Sequence, residues 1–350
     1  MNFFPKILGN PADQSPDPEK DREKNLALEP SGAVLDEDPA LAGLALRLRQ
    51  FIQAGKAQNT LRGYKADWQD FAAWCQKEEH RLPCLPASPS TVALYITHLA
   101  ASRKASTIQR RLTSISRVHE MAGEMSPASM RHAVVSEALK GIRRTIGTAQ
   151  KGKSPLLTLD LQKILVHLPK GIRGLRDRAL LLVGFAGAFR RSELAALDLD
   201  QVRFTSDGLV VHLKRSKTNQ EGEEESVAIP FGSHPETCPV GALRKWIEEV
   251  RIREGAVFRA VNRHGKPSEK RLHADSIGGI VKRAAKAAGY NVEDFAGHSL
   301  RAGLATQAAA NGVSERLIMK QTRHRSLNTL RRYIREGTLF RENAAAKVGL

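Results

Sequence analysis

Residues 297–333 open as Gly297-His298-Ser299-Leu300-Arg301-Ala302-Gly303 and close as Thr322-Arg323-His324-Arg325-Ser326-Leu327-Asn328-Thr329-Leu330-Arg331-Arg332-Tyr333. If Ser299 opens a helix, His298 and Arg301 fall near its first turn, where free backbone N–H groups already favour an anion. Asn311-Gly312 can stop that helix, and Ser314 with Glu315 can start a second. The spacing leaves His324 in a short loop and Tyr333 on a last helix. The stretch reads as a basic, phosphate-shaped site ending in one candidate nucleophile.

The rest of the chain is consistent with a polyanionic partner. The 350 residues carry a net charge of +18. Residues 1–40 hold four Lys/Arg against nine Asp/Glu, so the remainder carries +23. A hydrophobic fraction of 41% with 26% charged residues is a globular composition, long enough for two domains. Lys and Arg are scattered over many amphipathic segments rather than flanking one apolar helix, which favours nucleic acid over a membrane surface. A merely soluble basic protein is the bland alternative. Cys75, Cys84 and Cys238 are too few and too irregularly spaced for a disulfide framework or a zinc site. There is no export signal and no apolar run of membrane-spanning length, so the expected location is cytoplasmic.

In chain order, residues 1–40 read as a disordered acidic leader. A helical domain is expected over 41–148. Leu61, Tyr64, Trp68, Phe71 and Cys75 recur there at three- and four-residue steps behind an Asn59 or Thr60 cap, as core rather than as a base-stacking platform. Helices are predicted over 90–101 opened by Ser90, 106–122 opened by Ser106, and 130–146 ending at Gly147. Residues 149–155 form a linker, and a second domain spans 156–337. It begins with helices over 158–168 and 174–187 and a short one after Arg190. Two β-prone runs follow, 201–214 and 225–230, joined by a basic tip around Lys214, Arg215 and Lys217. Helices resume over 239–251, 274–288, 299–310, 315–321 and 327–335. The fold class expected is mainly α, with one small antiparallel β-sheet.

With Arg190, Lys217, His298-Ser299-Leu300-Arg301, His324 and Tyr333 in this order, the chain resembles the tyrosine recombinase (phage integrase) family, most nearly its simple two-domain Cre-type members. The resemblance covers about residues 41–350, and its motifs are specific only in 181–335. Arg190-Arg191-Ser192-Glu193-Leu194 fits the family's first element, and its Ser-Glu-Leu phase selects Arg190 over Arg191. Tyr333 follows His324 by nine residues. One departure stands out: the family commonly has Leu-Gly-His where this chain has Thr322-Arg323-His324.

The resemblance implies an all-helical core-binding domain and a catalytic domain closing as a C-shaped clamp on double-stranded DNA. It implies a dimer on each site, a homotetramer on two duplexes, and residues 338–350 docking on a neighbouring subunit. It also implies roles: Tyr333 as nucleophile, Arg190 and Arg301 as a clamp on the phosphate, and His298 as acceptor of the tyrosine proton. His324 would donate to a phosphate oxygen, Lys217 would act as general acid, and Glu193 would support the cluster. Such a pocket suits cleavage by a phenol of ordinary pKa ~10, because arginine forks match phosphate geometry and stay charged. No cofactor and no metal are called for. DNA-contact candidates are Lys104, Gln109, Arg110, Arg111, Arg215, Arg271, Lys282 and Arg283. Two other readings share parts of the pattern: a helix-turn-helix regulator built on residues 299–325, which leaves Lys217 and Tyr333 idle, and a type IB topoisomerase.

Overall fold

The computed structural model describes residues 58–149, 152–213, 225–324, 326–338 and 348. The acidic leader, the start of the first helical domain, the hairpin tip with Arg215 and Lys217, and nearly all of the C-terminal segment lie outside the described residues. The chain divides into two compact units, Met1–Gln150 and Lys151–Leu350.

Among its described residues the first unit packs four helices, α1 (Gln58–Cys75), α2 (Pro89–Ala100), α3 (Ala105–Met121) and α4 (Ala133–Ile146). Trp68, Phe71 and Cys75 are buried, while Leu61 and Tyr64 are half-buried. The Phe71 ring meets Trp68 and Tyr95 edge-on, with centroids 5.5 and 5.0 Å apart, so these aromatics form the core and each burial contributes about 3 kcal/mol. The predicted caps need correction. Ser88, not Ser90, caps α2 by accepting from the Thr91 N–H at 3.0 Å, because Pro89 suits the first helical position, where no N–H is needed. Ser106 lies inside α3, which starts one residue earlier without a side-chain cap, and Asn59 and Thr60 lie inside α1.

The second unit begins with α5 (Thr158–Val166), α6 (Ile172–Ala186) and α7 (Arg191–Ala196). Strands β1 (Val202–Phe204), β2 (Gly208–Leu213) and β3 (Glu225–Pro230) form an antiparallel sheet in the order β1-β2-β3, with Val211 opposite Val202 and Val227. Leu209, Val211, Leu213, Val227 and Ile229 point inward with the period of two that marks a half-buried sheet. α8 (Pro239–Val250) lies against α6, and the Trp246 indole N–H donates to the Val257 carbonyl at 2.8 Å.

A second, two-stranded sheet of β4 (Arg259–Val261) and β5 (Pro267–Arg271) was not expected. Pro267-Ser268-Glu269-Lys270-Arg271 is mostly exposed and has no apolar alternation to reveal a strand. The chain continues through α9 (Ala274–Ala287), α10 (Ser299–Ala310), α11 (Glu315–Thr322) and α12 (Leu327–Thr338). The fold is mainly α with small antiparallel sheets. Among the described residues no helix is long and apolar enough to cross a membrane.

Candidate active site

Close backbone contact positions the first turn of α10. A Cβ on Gly303 would lie 1.8 Å from the Leu156 carbonyl oxygen, and the Leu156 N–H donates to the Ser299 carbonyl at 3.0 Å. No larger residue fits at Gly303 without moving the backbone. The helix therefore carries Arg301 inward to 1% exposure. Its Nη1 donates to the Ala188 carbonyl at 2.7 Å, and its buried Nη2 has no hydrogen-bond partner among the described residues. Burial, then Arg190 and Arg323, pull the Arg301 pKa down to about 10. A buried donor left open on a charged group is costly until an anion fills it.

Arg190 immediately precedes α7. Glu193 accepts its backbone N–H at 2.9 Å through one carboxylate oxygen and pairs with its Nη1 through the other at 2.5 Å. Arg191 is directed elsewhere, to Asp275 at 2.9 Å. Glu193 is itself buried and accepts a second guanidinium, Arg323 Nη2, at 2.6 Å. Arg323 also donates from Nη1 to the Gly187 carbonyl at 3.2 Å, lies over the Phe189 ring at 5.1 Å, and has Nε 3.7 Å from Glu225. The turn between α6 and α7, with Ala188 left-handed at φ 47°, presents its carbonyls to both Arg301 and Arg323.

Tyr333, 5% exposed, rests among Ala302, Ala305, Ala309, Ile318 and Leu330. Its hydroxyl lies 2.6 Å from His298 Nε2, and Arg332 Nη2 approaches the same oxygen at 3.4 Å. His324 follows the end of α11, its ring centroid 5.9 Å from that of Tyr333, and its Nδ1 lies 2.7 Å from the Thr322 hydroxyl. Burial, reinforced by Arg301, Arg190, His298 and Arg323, pulls the His324 imidazole down to about 3. His298 keeps substantial solvent contact as a residue. Packing around its ring, then Arg301, Arg332 and Arg190, still hold its imidazole below the ordinary histidine value. In its Nδ1–H tautomer a neutral His298 has an Nε2 lone pair free to accept the phenol proton.

Six of the seven residues singled out for catalysis are thus described, and they lie in one cluster; the seventh, Lys217, falls outside the described residues. Sequence reasoning noted Arg323 only as a departure in the loop. It occupies a left-handed position, φ 56° and ψ 43°, of the kind that glycine favours, and its side chain joins Glu193 to Glu225.

The DNA-contact candidates fare unevenly. Arg111 is a correction: it is only 8% exposed, and its guanidinium is held by the Asp70 carboxylate and the Tyr95 hydroxyl, because charge buried between α1 and α3 must be paired internally. Arg110 is half-exposed but reaches Asp67 at 2.7 Å, and Gln109 accepts from Arg143 at 2.7 Å. Arg271 is tied to Asp198 at 2.6 Å, and Lys282 to Glu293 at 3.1 Å. Lys104 and Arg283 are exposed.

This geometry can now be compared with known proteins. Residues 156–338 match the family described as "Phage integrase family", which is more than half the chain. The chain belongs to the phage integrase family. It is a tyrosine-type site-specific recombinase. Residues 48–124 match the family's "N-terminal SAM-like domain". The integrase/recombinase xerD homolog of Selenomonas ruminantium is 42% identical over 306 residues, covering 86% of this chain and 88% of that protein. Recombinase cre of Escherichia phage P1 is 24% identical over 290 residues, covering 76% and 81%. Among solved structures, XerH recombinase bound to palindromic difH substrate aligns with a TM-score of 0.56 at 18% identity, covering 75% of this chain and 72% of that one. The Tn1549 transposon integrase with transposon right-end DNA aligns at 0.57 and 15%, covering 79% and 89%. These two likenesses show the fold of the recombinase.

Proposed function

We propose that this recombinase cuts and rejoins double-stranded DNA through a 3′-phosphotyrosyl intermediate formed on Tyr333. The observation that carries the reading is the 2.6 Å contact of His298 Nε2 with the Tyr333 hydroxyl, beside a buried Arg301 whose Nη2 is unsatisfied. On this reading the scissile phosphate enters the cluster and takes up the open Arg301 donor, while Arg190 clamps a second non-bridging oxygen. His298 takes the phenol proton as Tyr333 oxygen attacks phosphorus. The bond from phosphorus to the 5′-oxygen breaks, and Lys217 supplies that oxygen with its proton. The product keeps a reactive phosphodiester, so the 5′-hydroxyl of a partner strand can reverse the step without ATP. The guanidinium groups neutralise the charge that a metal would otherwise meet.

Tyr333→Phe tests the reading directly. It should abolish the SDS-resistant protein–DNA adduct while leaving site binding intact, since one hydroxyl is lost. An adduct that persists in this variant would move the nucleophile elsewhere. A regulator would shift DNA yet give no adduct in the wild type, and a topoisomerase would relax plasmids lacking any specific site.

Lys217 owes its role to its place in the motif, just before Thr218-Asn219. Lys217→Ala should slow cleavage by roughly 10²–10⁴-fold on ordinary DNA, and a 5′-bridging phosphorothiolate, which leaves without a proton, should restore it. For assembly, the proposal is a clamp of two domains on each half-site and a homotetramer on two duplexes. Residues 338–350 would link neighbours, because Leu339, Phe340, Val348 and Leu350 are too few to make a core of their own. Deletion after Gly337 should impair synapsis more than single-site binding; equal losses would place the segment in cis.

A further inference from the structure

The loop that carries His324 departs from the family's Leu-Gly-His, and both departing residues are engaged. The Thr322 hydroxyl lies 2.6 Å from the Ile318 carbonyl and 2.7 Å from His324 Nδ1. A hydroxyl has one proton, and a carbonyl oxygen can only accept. The proton therefore goes to Ile318, which leaves the Thr322 oxygen to accept from His324. Only one ring tautomer satisfies both contacts, the one with its hydrogen on Nδ1. Thr322 is fully buried, so the alternative would set two acceptor oxygens 2.6 Å apart away from water. Arg323 fixes the backbone between them: its left-handed conformation, unfavourable for a side chain with a Cβ, is held by the Glu193 and Gly187 contacts.

We propose that Thr322 is a positioning residue that holds His324 as its Nδ1–H tautomer and leaves Nε2 as the ring nitrogen offered to the phosphate. The inference deepens the strand-transfer reading and rests on it for its catalytic meaning. Neutral His324 then presents a lone pair, so it can donate to a phosphate oxygen only after taking up a proton on Nε2. Arg190 just before α7, Arg301 and His298 at the start of α10, and Arg323 at the end of α11 act on that ring, with the Tyr333 ring of α12 5.9 Å away. The cations oppose the proton. The phosphate brings the negative charge that makes the proton favourable, so His324 becomes a charged donor only when DNA is in place.

The test is long-range ¹H–¹⁵N spectroscopy of the full-length, DNA-free protein with labelled histidine, His324 being assigned by loss of its signals in His324→Gln. The wild type and Thr322→Ser should show the proton on Nδ1, whereas Thr322→Val should show it mainly on Nε2. Single-turnover cleavage should slow about tenfold in Thr322→Val, the scale of one lost hydrogen bond, and recover to within about threefold in Thr322→Ser. In a His324→Ala background Thr322→Val should add nothing. A wild-type proton on Nε2 overturns the proposal, as does equal slowing by Thr322→Val with and without His324. The tautomer readout needs no DNA, so a failed assignment of Tyr333 would leave it standing and is separately recognisable.

Discussion

Each unit of this recombinase gathers a partly buried cluster of arginines and carboxylates, and the two are balanced differently. In the first unit Arg110 and Arg111 face Asp67 and Asp70, two charges against two, with Ser114 and the Tyr95 hydroxyl completing the carboxylates. In the second, Arg190, Arg301 and Arg323 gather around Glu193, with Glu225 only at 3.7 Å from Arg323, and Arg301 Nη2 meets no acceptor among the described residues. A cluster whose charges balance holds helices together, even with Arg111 Nε left 3.8 Å from Asp67 and without a hydrogen bond. A cluster with a surplus cation among the described residues is prepared for an anion that comes from outside, and this difference in charge, rather than the open donor alone, marks the phosphate site.

Breaking one member of each cluster gives the largest expected contrast. Arg301→Gln should slow adduct formation by roughly 10²–10³-fold, the cost of one missing donor to the developing charge. Its stability should stay within about 1 kcal/mol of wild type, because the substitution removes charge that the fold does not balance. Asp67→Asn should do the reverse: a loss of about 3 kcal/mol in urea unfolding, as the buried Arg111 and the half-exposed Arg110 lose their shared carboxylate, with cleavage per folded molecule little changed. If Arg301→Gln proved as destabilising as Asp67→Asn, the surplus-charge account of the second cluster would fail.

What could be seen in advance follows the same division. That His298, Arg301, His324 and Tyr333 would lie together could be anticipated from the family motif they match, whose local spacing runs along three consecutive helices, and Arg190 with Glu193 because both fall within one turn. Arg111 was misread as a groove contact, since its partners Asp70 and Tyr95 come from two other helices and nothing in its own helix shows that a basic side chain will turn inward. Arg323 was hidden for the same reason, as it reaches Glu193 across 130 residues. Strands β4 and β5 escaped notice because they are short and mostly polar. The cap of α2 was off by two residues because Pro89 suits its first turn, while α3 starts without any side-chain cap to mark it.

Acid should expose the clusters next. An unfolded histidine takes up its proton near pH 6.5, whereas His324 in the fold does so only near about 3. Between those values the unfolded chain binds more protons, so stability falls as pH drops through the window. By pH 5 this one group should cost up to about 2 kcal/mol relative to pH 7, most of which His324→Gln should recover. His119 in the first unit is also held below its ordinary value, by burial, and is enclosed by the Ala87 N–H and the Ile115 carbonyl. Inorganic phosphate provides the distinction. Bound beside Arg301 and Arg190 it should favour protonated His324 and shrink the acid loss of the second unit, while leaving that of the first unit unchanged. The same protection in both units would mean that the anion acts on the whole surface rather than in the open cluster.

The smallest effect separates exposed cations from paired ones. Arg283 is exposed on α9, and Arg111 is enclosed in α3, though both were candidates for DNA contact. A cation that touches backbone phosphate releases about 0.9 of a counterion, so its removal lowers the slope of log affinity against log salt by about that amount. Arg283→Gln should reduce the slope by roughly 0.9 and weaken binding a few-fold at moderate salt, with no change in thermal midpoint. Arg111→Gln should lower the thermal midpoint of the first unit and leave the salt slope alone, because a guanidinium already neutralised by Asp70 displaces no counterion from DNA. A salt slope that falls for Arg111→Gln and not for Arg283→Gln would reverse both assignments, and would mean that the first cluster opens when DNA binds.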